Sequence, residues 1–271
     1  MTVETFALLC RIVCMNEAEL NSKAWDWEVG RNNLWTTIVT EDEIEKARSG
    51  EIDIWITPEH NVPPSWLEGI EGRNVLLLAC GGGQQTPLMA AAGAKVTNVD
   101  ISPMQIEQDR KALRKYNLEA DVRVGDMRDL SFLEDGSMDY VICPHSLNFI
   151  STLDEFYSES YRVLKKGGKF LYGAANPVLY MFDDKCETRK LKVKYTIPFS
   201  DETSLSHREL EKRLKKNDTV EYSHTLNDII GKALKMGFTM KDFYSDGSLA
   251  EIVDSFVHDS FLAFYMVKDR P

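Results

Sequence analysis

From Val75 to Gly173, short apolar runs alternate with longer stretches whose apolar residues recur at three- and four-residue spacing. The runs are "NVLLL", "KVTNVD", "DVRVGD", "DYVIC" and "KFLYG". Nearly continuous apolar runs fit strands buried on both faces, and the amphipathic stretches between them fit crossover helices. The pattern therefore predicts a parallel sheet covered on both sides. In "SPMQIEQDRKALRKYN", Ser102 is placed to cap a helix, Pro103 suits its first turn, and Gln105 would complete a capping box. In "TLDEFYSESYRVLKKGG", Phe156, Tyr157, Tyr161 and Leu164 share one face, and Gly167 and Gly168 predict the stop.

Beyond Gly173 the regularity lapses. Residues 174–223 are mixed and lysine-rich, with a helix expected around "HRELEKRLKK", and read as an insertion that serves as a lid on the acceptor side. Thr225 then caps a helix through "LNDIIGKALKMG", and "FTMKDFYSD" and "FLAFYMVK" read as two further strands. The predicted fold is α/β, with a doubly wound, mostly parallel seven-stranded sheet over residues 74–271. Residues 1–73 hold Trp25, Trp27, Trp35, Trp55 and Trp66, all the tryptophans of the chain, among polar turns. They read as a cap packed on that core. The run "FALLCRIVCM" is too short to span a bilayer and contains Arg11, so it reads as a packed helix.

Composition narrows the partners. In 271 residues the formal net charge is −11, which repels phosphate backbones and anionic lipid surfaces. No nucleic-acid or membrane partner is expected, and the lysine-rich stretches, interrupted by acids, read as solvated surface. The five cysteines are odd in number and show no metal-knuckle or CxxC spacing, which fits reduced thiols in a cytoplasmic protein.

The chemistry is concentrated in "NVLLLACGGGQQTPLMAAAGAKVTNVD", Asn74 to Asp100. Glycines after a first parallel strand let a ligand approach the backbone, and the helix that follows offers free amides. A carboxylate closing the second strand, Asp100, suits the two hydroxyls of a ribose. The ligand class is thus an adenosine-containing cofactor. A dinucleotide fingerprint would start at Gly81 and Gly83, but its third glycine place falls on Thr86, followed by Pro87. A P-loop is excluded because no Gly-Lys-Ser/Thr follows the turn.

Taken in order, "VLLLACGGG", Asp100 in "VTNVDISPMQI", "GDMRDLSF", "FLEDGSMDYVIC" and "RVLKKGGKFLYG" resemble the motifs of the class I S-adenosylmethionine-dependent methyltransferases. The resemblance implies a Rossmann-like methyltransferase fold with S-adenosylmethionine as cofactor and S-adenosylhomocysteine as product. It implies a turn of Ala79, Cys80, Gly81, Gly83, Gln84 and Gln85 around the amino-acid end of the cofactor. Asp100 and Ile101 would hold the ribose, Asp126 and Met127 the adenine, with Met104 over its other face and Pro144 nearby. A small-molecule acceptor is implied, with His145 and His224 as candidates for its general base. The chain departs from the family pattern at Leu77, where many members have an acid, and at Ala79, where they have the first glycine. Two rival readings remain beside it: a dinucleotide-dependent oxidoreductase, and a binding protein of the same fold without turnover.

Overall fold

Leu76, Leu78, Val141, Cys143, Phe170 and Tyr172 pack on one side of a single sheet; Val75, Leu77, Tyr140, Ile142 and Leu171 pack on the other. All are buried, so neither face is polar and the apolar runs in the sequence are continuous. The computed structural model describes residues 16–31, 33–183 and 191–269. The strands are β1 Asn74–Leu78, β2 Lys95–Asp100, β3 Asp121–Val124, β4 Met138–Cys143, β5 Leu164–Ala175, β6 Thr239–Asp246 and β7 Phe261–Val267. They form one seven-stranded sheet in the order β3-β2-β1-β4-β5-β7-β6. β1 to β5 run parallel, and β7 enters antiparallel between β5 and β6. The order reverses at β1, which lies between β2 and β4, and open sheets of this kind place their ligand crevice at such a reversal.

The helices in chain order are α1 Glu17–Gly30, α2 Glu41–Arg48, α3 Gln85–Ala91, α4 Pro103–Tyr116, α5 Asp154–Val163, α6 Asp201–Ser204, α7 His207–Lys215, α8 Lys232–Met236 and α9 Glu251–Asp254. Two local expectations are corrected. Ser102 caps α4 by accepting the Gln105 amide at 3.1 Å, but the reciprocal half of the capping box does not form. The Ser102 amide is taken by Asp100 Oδ1 at 2.9 Å, which releases the Gln105 side chain. And α5 stops at Val163, before Gly167 and Gly168. Leu164 already pairs with Met138 of β4, so both glycines fall inside β5.

Residues before β1 supply much of one layer: Ile44, Ile54, Ile56, Val62 and Trp66 join the cluster of Leu77, Ile142 and Leu171. Trp66 is fully buried and donates from Nε1 to Asp242 Oδ2 at 2.9 Å. The predicted helix "FALLCRIVCM" lies outside the described residues. Among the described residues no helix is long and apolar enough to cross a membrane. Cys80 and Cys143 are buried free thiols, and the other three cysteines lie outside the described residues.

Asn21 of α1 joins three parts of the chain. Its Nδ2 donates to the Phe149 carbonyl at 2.9 Å and the Val220 carbonyl at 3.0 Å, and its Oδ1 accepts the Val220 amide at 2.7 Å. Removing one buried side chain that satisfies three backbone groups strands all of them. Asn21→Ala is expected to cost about 2 kcal/mol in urea unfolding, with an unchanged m-value.

Candidate functional site

The loops that follow β1 to β4 enclose a cavity of about 260 Å³. Across the sheet its wall runs from Gly125, Asp126 and Met127 after β3, through Asp100 and Ile101, to the turn from Ala79 to Gln85 after β1. Pro144, His145 and Ser146, after β4, close the far end.

The β1 turn is shaped for close approach. Ala79 adopts φ +53°, the left-handed region, which costs a non-glycine residue roughly 1 kcal/mol. At Gly81 a Cβ would lie 2.6 Å from Gln105 Cβ and 2.9 Å from Asp100 Oδ2, so only glycine leaves this cradle open. The Gly81 amide donates to Asp100 Oδ2 at 2.9 Å, and the carboxylate is buried. Burial pushes the Asp100 carboxyl up to about 6, against the two amides from Ser102 and Gly81 that favour its charge. Gln105 Oε1 is buried in the cavity wall with no hydrogen-bond partner among the described residues. An open cradle, a buried carboxylate and an orphaned acceptor together fit a ligand rich in hydroxyl and amino donors, such as a nucleoside bearing an amino acid.

Gln84 and Gln85 face the cavity and also hold its opposite wall: Gln84 Nε2 donates to the Leu34 carbonyl and Gln85 Nε2 to the Trp55 carbonyl, both at 2.8 Å. Asp126 is gripped by Arg128, whose Nη2 lies 2.7 Å from Oδ2 and whose Nε lies 3.0 Å from Oδ1. Arg128 also pairs with Glu17 of α1. This ties α1 across the β3 end of the cavity.

His145 lies edge-on between the rings of Phe261, at 4.8 Å, and Trp35, at 5.8 Å. Its Nδ1 is buried and unpartnered among the described residues. Burial pushes the imidazole down to about 4, although the Ile56 carbonyl and the Asp246 charge both favour a proton on it. The ring is therefore neutral at physiological pH.

The structure brings together Ala79, Cys80, Gly81, Gln84, Gln85, Asp100, Ile101, Asp126, Met127, Pro144 and His145 around the cavity. Three residues named from the sequence are placed elsewhere. Gly83 has its amide turned away from the cavity onto Asp109 Oδ1 at 2.7 Å. Met104 is exposed, since its amide is tied to Asp26 Oδ1 at 3.0 Å on the outer side of the first turn of α4. His224 does not line the cavity: its Nε2 lies 2.9 Å from the Leu147 carbonyl and 3.0 Å from the Ile150 carbonyl, so its ring clips the loop after β4. His60, given no role from the sequence, packs with Glu59 against Asp246, their donor atoms all within 4.8 Å. Asp246 is already filled by the Glu59, His60 and Gly247 amides and by His60 Nδ1, so this cluster is a junction between the segment before β1 and the end of β6.

The wall also contains residues that sequence reasoning did not place there: Asn21, Thr57, Val99, Gln105, Gly125, Phe149 and Ile150. Trp25, Trp35 and Trp55 line it too, whereas Trp66 is core and Trp27 is exposed. The available signal was the tryptophans themselves, which are costly to spend on a surface segment.

The model of a family described as "Methyltransferase domain" matches residues 76–172. The Bacillus subtilis (strain 168) protein named "Uncharacterized methyltransferase YbaJ" is 39% identical over 88% of this chain and 93% of its own. A "Ubiquinone biosynthesis O-methyltransferase" of Xanthomonas oryzae pv. oryzae (strain PXO99A) is 32% identical over 44% of this chain, and the match spans about half (52%) of that protein. Among solved structures, an S-adenosylmethionine dependent methyltransferase from Mesorhizobium loti superposes with a TM-score of 0.59 at 17% identity, covering 75% of this chain and 94% of that one. The likeness to that structure is one of fold.

Proposed function

This chain belongs to the class I S-adenosylmethionine-dependent methyltransferases, and from that premise we propose that it methylates a hydroxyl group on a small, uncharged, flat acceptor, with His145 as the general base. The carrying observation is His145: a neutral imidazole at the cavity wall, beyond the glycine turn and boxed by aromatic rings. S-adenosylmethionine supplies an electrophilic methyl group on a sulfonium, so the protein's tasks are alignment, exclusion of water and removal of one proton.

Asp100 would accept the ribose hydroxyls, Asp126 and Met127 would flank the adenine, and the β1 turn with Gln105 would meet the amino-acid end. The cavity lining includes Trp35, Trp55, Thr57, Phe149 and Ile150, and its carboxylates among the described residues, Asp100 and Asp126, are those assigned to the cofactor. An acceptor carrying a carboxylate or ammonium would lose its hydration there without a partner, whereas an aromatic alcohol would not. The Ile56 carbonyl favours a proton on one ring nitrogen, which leaves the other nitrogen to take the acceptor's proton. The low proton affinity of His145 does not bar this: with a sulfonium cofactor bound, the charge His145 would gain would be offset by the charge the cofactor would lose. The O-methyltransferase relative, matched over half its length, supports the choice of oxygen.

The test is a panel of phenols, aliphatic alcohols, amines and carboxylic acids, read by release of S-adenosylhomocysteine and mass detection of product. Phenols are expected to turn over. His145→Gln is expected to lower kcat about 100-fold, the low end of general-base effects, with S-adenosylhomocysteine affinity unchanged within about threefold. Turnover confined to amines or acids, or a His145→Gln variant with full kcat, would sink the proposal. Tight cofactor binding with no turnover on any acceptor would favour a binding protein of the same fold.

A further inference from the structure

We propose that Asp109, which does not touch the cavity, is a positioning residue that locks the cofactor-binding turn and the tryptophan wall into one unit, and that it does so only as a carboxylate. Asp109 lies on α4 and is fully buried. Its Oδ1 accepts the Gly83 amide at 2.7 Å, and its Oδ2 accepts Thr86 Oγ1 at 2.8 Å and Asn98 Nδ2 at 2.7 Å. One side chain thereby joins the β1 turn, the first turn of α3 and strand β2.

Gly83 and Thr86 bracket Gln84 and Gln85, the two residues that face the cavity and hold the Leu34 and Trp55 carbonyls. The Gly83 carbonyl in turn accepts the Val39 amide at 3.0 Å. The grip of Asp109 on the back of the turn therefore sets where both glutamines, and the segments carrying Trp35 and Trp55, meet the cavity. No lysine, arginine or histidine among the described residues pairs with this carboxylate. An unpaired buried charge is expensive, and three donors from neutral partners could be met by a neutral side chain if structure were the only need.

The cluster also has a second state built in. Asn98 Oδ1 is buried without a hydrogen-bond partner among the described residues. If the Asn98 amide turns over, that oxygen can accept a proton carried by Asp109, at the expense of the bond that Asn98 Nδ2 now makes. Burial pushes the Asp109 carboxyl up to about 7; the Thr86, Gly83 and Asn98 donors oppose this and the Asp100 charge adds to it. Of the elements packed on α4, β2 brings Asp100, α1 brings Asp26 onto Ser102 and Met104, α3 has no charged residue, and Asp121 and Arg123 of β3 pair with each other. The buried Cys80 thiol is pushed well above its ordinary value and stays neutral.

Two opposite pH slopes follow. An Asp whose folded value is raised from 3.8 to about 7 lets the folded chain hold a proton that the unfolded chain has lost. Its stabilising contribution is complete below the unfolded value and is lost as pH rises through that window, levelling above about 7. Cofactor affinity, which needs the carboxylate, rises across the same window.

The experiment compares wild type with Asp109→Asn by calorimetric titration of S-adenosylhomocysteine from pH 5.5 to 8.5, and by urea unfolding without ligand over the same range. The variant is near-isosteric, can keep the Gly83 bond and can reverse the other two. It is expected to fold, to bind about tenfold more weakly at pH 8, to lose about one proton from the pH dependence of affinity, leaving that of Asp100, and to flatten the decline of stability with pH. Wild-type affinity and slopes in the variant would overturn the proposal; so would weaker binding with both slopes unchanged, the mark of a structural role alone. If Asp109→Asn does not fold, Thr86→Val removes only one donor to the carboxylate. It is expected to shift the affinity midpoint to higher pH, and an unshifted midpoint would overturn the proposal.

Discussion

Asp100→Ala is expected to weaken S-adenosylhomocysteine binding roughly 10³-fold at pH 8 in a chain that remains folded, because two charge-assisted hydrogen bonds to ribose hydroxyls are lost together. The carboxylate closes β2 where the β1 turn passes over it, and Gly81 has no Cβ to separate the ligand from it. Its present partners are backbone amides from Gly81 and Ser102, one to each oxygen, so a lone pair on each remains for a hydroxyl. The pH dependence gives a second handle. Burial raises the Asp100 carboxyl to about 6, so it is charged at pH 8 and becomes neutral as pH falls through that value. Wild-type affinity should fall about tenfold between pH 7 and pH 5, the titration of one proton, while the alanine variant loses this part of the dependence. Calorimetric titration of both proteins across pH 5 to 8 measures this directly. A folded Asp100→Ala protein with unchanged affinity would remove Asp100 from the cofactor site.

Asp100 and the glycine turn were legible because parallel strands buried on both faces announce themselves as apolar runs, and what terminates such a run lies at the sheet's C-terminal edge. The same logic placed Asp126, Met127, Pro144 and His145 at the cavity. It failed at Met104, whose neighbour Gln105 is at the cavity while its own amide is held by Asp26, and at His224, whose ring is held by the Leu147 and Ile150 carbonyls. Periodicity says which face of an element a residue occupies, not which partner claims its amide. Gln105 shows the opposite error. Its spacing from Ser102 promised a capping box, yet Asp100 takes the Ser102 amide and leaves Gln105 Oε1 in the cavity wall. The acceptor half of the wall was the least legible. Trp35, Trp55 and Thr57 reach it by crossing from a segment with no regular period, and only long-range contacts fix where they stop.

Where they stop is set at Gly173, and Gly173→Ala is expected to cost about 3 kcal/mol of stability or more and to impair acceptor turnover far more than cofactor binding. Gly173 is in β5, paired with Ala263 of β7, in the middle of a sheet where glycine is otherwise disfavoured. A Cβ there would lie 1.8 Å from the Ile56 carbonyl oxygen and 3.1 Å from the His145 amide nitrogen. The segment through Ile56 therefore lies directly on the strand, and no side-chain rotation relieves the clash because the obstructing atom is backbone. The segment must lift. Ile54 and Ile56, both fully buried, would leave a core they share with Leu77 and Ile142, and Trp55 and Thr57 would move with them. The residues proposed to hold the cofactor, Asp100, Asp126 and Gly81, sit on other elements and should be largely spared. Urea unfolding reads the stability loss, and titration with S-adenosylhomocysteine separates the two ends of the cavity. Affinity within about threefold of wild type beside a collapsed acceptor turnover is the expected pair of results. A Gly173→Ala protein of wild-type stability would show that the Ile56 segment does not rest on the sheet.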